Sequence, residues 1–372
     1  MHHRTVAAVA RRFPLVGRPR PDCPPLPLRI KEIADAANAA TRTPDHAIAE
    51  AAHALNKAAL IASDAGLPDL ARQLCWRHID AYRHLTRPLT VLEARYMLEP
   101  VLNLARLQIR VDQGIPALRL IEAMYHAVTQ RTDLTIGEHT LPTANLTGDP
   151  AEHRELRQWV WLQLVSEGVR ILALANRWAD AAEHAHKHNG IGAHLLEGRQ
   201  AAIIAACLDG KPEQGRKILA ESTLTQPWEQ QVAACLDLLL TEPESPPAAR
   251  RLGAAVERLT LAAAANYASF HVRLGLTVAI LANATEPELA AQLLSRTAKQ
   301  AIDIGDGYAA RDLLGIREHL HGITGSQAAA LRRTSTRAGL GLGALPEAVL
   351  HDITTTCGSA VSRLNLALQA RQ

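Results

Sequence analysis

The sequence predicts an all-α fold, a right-handed superhelical array of helical hairpins, and three observations point to it. Apolar residues make up 48% of the 372-residue chain and aromatic residues only 3%, so the core must be built from Ala, Leu, Ile and Val. Ala and Leu are the strongest helix formers, and small side chains let helices approach closely. A β-sandwich of this size would carry Tyr, Phe and Thr in alternating runs, and no such run occurs. From Ile30 onward, apolar residues recur at helical spacing in stretches divided by short breaks rich in Gly, Pro and Asp.

Taken in order, residues 1–29 read as a basic, Pro-rich, disordered tail. The first thirty residues hold six Arg against one Asp, with prolines at 14, 19, 21, 24, 25 and 27. The apolar stretch Val6–Ala10 is too short for a secretory core. Residues 30–322 read as the helical repeat domain. Its clearest unit is a helix over Ala47–Asp64, a break Ala65-Gly66-Leu67-Pro68, and a helix over Asp69–Leu85. Pro68 suits the first turn of a helix, where the missing N–H has no intrahelical acceptor. Ala51, Leu55, Ala58, Ala59 and Ala62 share one face of the first helix, and Leu70, Leu74 and Ile79 one face of the second.

The break recurs as Gly114-Ile-Pro116, Gly210-Lys-Pro212, Ser245-Pro-Pro247 and Thr285-Glu-Pro287, and without proline as Asn176-Arg-Trp178. From Trp178 to Pro212 is 34 residues, to Pro247 a further 35 and to Pro287 a further 40. Three residues past each start stands a small residue, Ala71, Ala181, Gly215 or Ala290; Arg119 and Arg250 break that rule. Earlier spacings are longer, and one gap contains Thr132–Pro150, a stretch without helical period that reads as a surface loop or a functional insertion. After His321, a basic helix over Ser326–Arg337, the run Gly339-Leu-Gly-Leu-Gly343 and a helix over Pro346–Ala370 read as C-terminal capping helices, residues 323–372.

Periods near 34 with two helices each resemble tetratricopeptide-like proteins, in particular the sensor halves of actinobacterial transcription regulators. The resemblance spans about residues 45–322. The Trp-Leu-Gly-Tyr residues of the full repeat signature are missing from most units, and no helix-turn-helix reader precedes residue 45. The resemblance implies a TPR-like α-solenoid with a concave binding surface. The dominance of Arg (34) over Lys (six) fits a GC-rich, actinobacterial coding bias.

Chemistry-bearing motifs are sparse. Cys23, Cys75, Cys207, Cys235 and Cys357 are far apart and odd in number, which argues for buried thiols in a reducing cytoplasm, not zinc or disulfides. No metal site is expected; His184 and His188, one turn apart, are the weak candidates, but Asn189-Gly190 marks a helix end, where such side chains favour exposed carbonyls. The Gly339–Gly343 run lacks the strand and Lys-Ser/Thr of a phosphate loop and reads as a hinge. No cofactor is expected. A net charge of +3 leaves nucleic-acid binding only to the basic tail, and no apolar run reaches a membrane span.

Two stripes remain. Arg95, Glu99, Asn103 and Arg106 recur at i, i+4, i+8 and i+11, opposite Leu98, Val101, Leu102 and Ala105. Trp159, Gln163, Glu167 and Arg170 take the same offsets, against Val160, Leu164 and Ile171. Arg holds carboxylates bidentately and Asn or Gln holds peptide groups. The expectation is a cytoplasmic scaffold or regulatory module binding a peptide or protein segment in a groove lined by these eight residues, extended by Asn56 and Trp76. Two other readings stay open: an enzyme of a natural-product or peptide-modifying pathway, with Glu99 or Glu167 as acid/base and Thr132–Pro150 as lid, and the ligand-sensing part of a transcription regulator.

Overall fold

A computed structural model describes residues 2–18, 22–42, 46–144, 146–259, 267–316 and 321–370. They form seventeen helices and one antiparallel β-hairpin. The chain begins with α1 (His2–Ala10), α2 (Leu26–Arg42), α3 (Ala47–Asp64), α4 (Pro68–Arg83), α5 (Val91–Arg110) and α6 (Gly114–Gln130). Strands β1 (Leu134–Ile136) and β2 (His139–Leu141) follow, then α7 (Pro150–Leu174), α8 (Trp178–Lys187), α9 (Glu197–Leu208), α10 (Pro212–Ala220) and α11 (Pro227–Leu239). The rest is α12 (Ala248–Leu259), α13 (Ala268–Ala282), α14 (Pro287–Ile304), α15 (Gly307–Leu314), α16 (Gly325–Arg337) and α17 (Glu347–Gln369). No described helix is long and apolar enough to cross a membrane. No disulfide links the five cysteines.

The described helices recur as hairpins with one turn chemistry. Gly66, Asp112, Asn176 and Gly210 all have positive φ, between 57° and 84°. In each case the next residue's N–H reaches back five residues: Leu67 to Ala62 O, Gln113 to Gln108 O, Arg177 to Leu172 O and Lys211 to Ala206 O, at 2.8–2.9 Å. This is the 6→1 bond that closes a helix on a left-handed residue. The second helix then starts two residues after the left-handed one, and its fourth residue is small and buried: Ala71, Ala117, Ala181 and Gly215. Arg119 is therefore no exception. Helix α6 begins at Gly114, so Pro116 is its third residue and Ala117 takes the crowded position. A Cβ on Gly215 would lie 2.6 Å from Leu240 Cδ2.

The chain divides into two compact units, one of residues 25–164 and 339–372, the other of residues 1–24 and 165–338. In the first, α2 packs on α3, α3 on α4, α4 on α5 and α5 on α6, with α3 also on α5. In the second, each helix from α8 to α16 packs on the next. The first helices of successive hairpins also meet there, α9 with α11, α11 with α13 and α13 with α15.

Three sequence expectations change here. Residues 2–18 are not a disordered tail: Val6, Val9, Phe13, Leu15 and Val16 are buried in the second unit. The arginines hid this because they alternate with apolar residues that find their cover far along the chain. The single domain 30–322 gives way to the two-unit division. Finally, the 323–372 helices do not act together as one cap. Helix α16 packs on α14 and α15, whereas α17 buries Ile353, Cys357, Ala360, Leu364 and Leu368 in the first unit against α2, α3 and α4. Within Thr132–Pro150, of which residue 145 lies outside the described residues, residues 134–141 fold as the β1–β2 hairpin, with Leu134 and Leu141 opposite each other and buried. Its return is tied down by Leu89 N–H donating to Leu146 O at 2.7 Å.

Candidate functional site

Helix α5 starts on a capping box: Thr90 Oγ1 accepts from Glu93 N–H, and the Glu93 carboxylate accepts from Thr90 N–H. Its apolar face, Leu98, Val101, Leu102 and Ala105, is buried as expected. The opposite face is a connected polar row. Asn56 on α3 donates through Nδ2 to Glu99 Oε2 at 2.7 Å, Asn103 Nδ2 donates to Asn56 Oδ1 at 3.3 Å, and Arg106 Nη1 donates to Asn103 Oδ1 at 3.1 Å. Burial pushes the Glu99 carboxyl up, against the opposing pull of His53, Arg95, Asn56 and Arg106. Arg95 lies 5.5 Å from the centre of the Trp159 ring, within cation–π range. Its Nε is shut from solvent and has no hydrogen-bond partner among the described residues.

Asn56, Glu99, Asn103 and Arg106 are thus brought together, and Arg95 is paired with Trp159. Gln163 is half-buried. Trp76 goes elsewhere, stacking on His139 of β2 with ring centres 4.0 Å apart. Glu167 and Arg170 fall in the second unit, so the two stripes do not form one row within either unit. Arg170 there meets Glu197 at 3.2 Å, and Glu197 also takes Arg18 at 3.0 Å. His184 and His188 lie at the end of α8, their ring centres 4.7 Å apart. His184 packs so closely on α7 that a Cβ at Gly168 would lie 2.2 Å from its Nε2.

Sequence reasoning missed a side chain that holds backbone. Gln200, fully buried on α9, accepts from Leu15 N–H through Oε1 at 2.7 Å and donates through Nε2 to Leu15 O at 2.6 Å. Its side-chain amide thereby pairs with both backbone polar groups of one residue in a nonhelical stretch. The neighbouring Gly17 lies against Trp228, where a Cβ would come within 2.3 Å of the indole. A lone Gln in an Ala-rich helix carries no periodic signal that could have revealed it. Compared with known proteins, the chain matches no protein-family model, no curated protein and no solved structure.

Proposed function

We propose that this chain is a tetratricopeptide-like array of helical hairpins that binds an extended polypeptide segment along the polar face of α5. The observation behind this reading is the linked row Asn56–Glu99–Asn103–Arg106. Its members order one another before any partner arrives, which lowers the entropy lost on binding. Amide and guanidinium groups in such a row still have donors and acceptors to spare, and these suit a peptide backbone and acidic side chains. Trp159 under Arg95 adds a flat apolar surface beside it. Support for the array itself comes from the shared turn chemistry and from the stacking of first helices in the second unit. Support for the ligand class comes from Gln200, which holds a residue of its own chain by both backbone groups.

Selection of a random peptide library on the full-length chain tests the proposal. Enriched peptides, resynthesised and measured by fluorescence polarisation, should lose at least about tenfold in affinity on N103A or R95A, since each removes charge-assisted or amide contacts. The exposed control H186A should leave affinity unchanged. Failure to enrich any peptide, or affinities indifferent to N56A, R95A and N103A, overturns the reading.

A further inference from the structure

A small cavity in the second unit, of about 200 Å³, is lined by Arg11, Arg12, Arg170, Arg273 and Asp312, with Leu276 among its apolar walls. Three distant parts of the sequence deliver the cations: the residues just after α1, the last turns of α7, and α13. Four arginines thus line the cavity with one carboxylate. That carboxylate is already engaged, since Arg273 Nε donates to Asp312 at 2.7 Å. Arg170 leans on Glu197, which it shares with Arg18. Arg12 is not fully satisfied: its Nε is shut from solvent with no hydrogen-bond partner among the described residues. Burial lowers its pKa, Asp312 opposes, and Arg273 and Arg11 lower it further.

Arg stays charged under all ordinary conditions, so like charges gathered in a partly buried cavity repel one another until an anion joins them. Guanidiniums present planar forks that match the oxygens of a phosphate group bidentately. We infer that this cavity is a binding site for a phosphate group, carried by a small phosphorylated molecule or by a phosphorylated side chain. The volume admits a phosphate with a short attached group, and the Leu276 wall gives that group an apolar neighbour. The site shares no residue with the α5 row and stands or falls independently of the peptide-binding proposal.

Calorimetric titration of the full chain at low ionic strength, with sodium pyrophosphate and separately with a short phosphoserine peptide, tests the assignment. Saturable binding of either probe below 1 mM (on the order of −4 kcal/mol or better) is expected. Tighter binding of the peptide would identify a protein source, tighter binding of pyrophosphate a small-molecule one. R12Q and R273Q should each weaken binding at least about tenfold. D312N should tighten it severalfold by removing the competing carboxylate, an effect that mere disruption of the fold cannot produce. R311Q, whose guanidinium lies over Tyr308 outside the cavity lining, should be neutral. Absence of saturable binding by both probes overturns the inference, as does equal binding by wild type, R12Q and D312N.

Discussion

His78 on α4 shows how a single side chain couples this fold to pH. It is 1% exposed, and neither ring nitrogen has a hydrogen-bond partner among the described residues. Burial, reinforced by His53, pushes its pKa down to about 3. In the unfolded chain it would titrate near the ordinary value of about 6.5. Protons therefore bind the unfolded chain better. The stability due to neutral His78 is complete above about pH 6.5 and is lost progressively as pH falls towards 3, by about 1.4 kcal/mol per pH unit. Urea unfolding at pH 7 and pH 5 should show about 2 kcal/mol of loss from this group, which H78L removes. Equal pH dependence in wild type and H78L would refute it. No sequence pattern announced this: His78 occupies a core position where any apolar residue would read the same. By contrast, Glu99, Asn103 and Arg106 were legible because helical spacing alone puts them in reach of one another. The contact of Trp76 with His139 was not legible because His139 sits on a hairpin some sixty positions later.

At the scale of elements, the left-handed residue in each hairpin turn makes opposite predictions for different side chains. Gly66 and Gly210 adopt positive φ freely, whereas Asp112 and Asn176 do so against the preference of an L-residue. G66A and G210A should each cost about 1–2 kcal/mol. D112G and N176G should gain up to about 1 kcal/mol, net of the greater entropy of the unfolded chain. Thermal or urea unfolding of the four variants checks the sign reversal, and a uniform sign across them would contradict it. These turns were only half visible in the sequence. Gly66-Leu-Pro68 and Gly210-Lys-Pro212 marked their helix starts to within one residue. Gly114-Ile-Pro116 mimicked that pattern two residues out of register, because its true left-handed residue is an aspartate. A similar long-range tie needs the structure: Asp64 at the end of α3 takes Arg29 at 2.6 Å and Arg110 at 2.8 Å, joining α2, α3 and α5 by charges that no local spacing connects.

For the whole molecule, the helical content and the starts of several helices were legible, because Ala- and Leu-rich periodicity and Gly/Pro breaks are local signals. The allocation of segments to units was not, because it depends on contacts between distant residues. The N-terminal residues illustrate it. Leu15 is held by Gln200, 185 positions away, and Cys23 N–H donates to Asp306 Oδ2 at 2.7 Å, 283 positions away. The expected outcome of hydrogen exchange is slow exchange at Leu15, accelerated at least about tenfold by Q200A, alongside a loss of about 1–3 kcal/mol in stability as the backbone groups lose their partner. Exchange at the free-peptide rate across residues 9–16 would contradict the structure.

That same allocation sets a timetable for synthesis. A ribosome adding about 5–20 residues per second exposes Cys23 long before it makes Asp306, so this stretch of nascent chain waits on the order of 15–60 s for its acceptor. The first unit waits as well, since its α17 emerges only after all of residues 165–338. Residues 165–338 interrupt the first unit, so that unit cannot close its core until the second has been translated, and the apolar residues Val9, Phe13 and Leu15 stay uncovered until their distant partners are made, the window in which a chaperone has the most to hold.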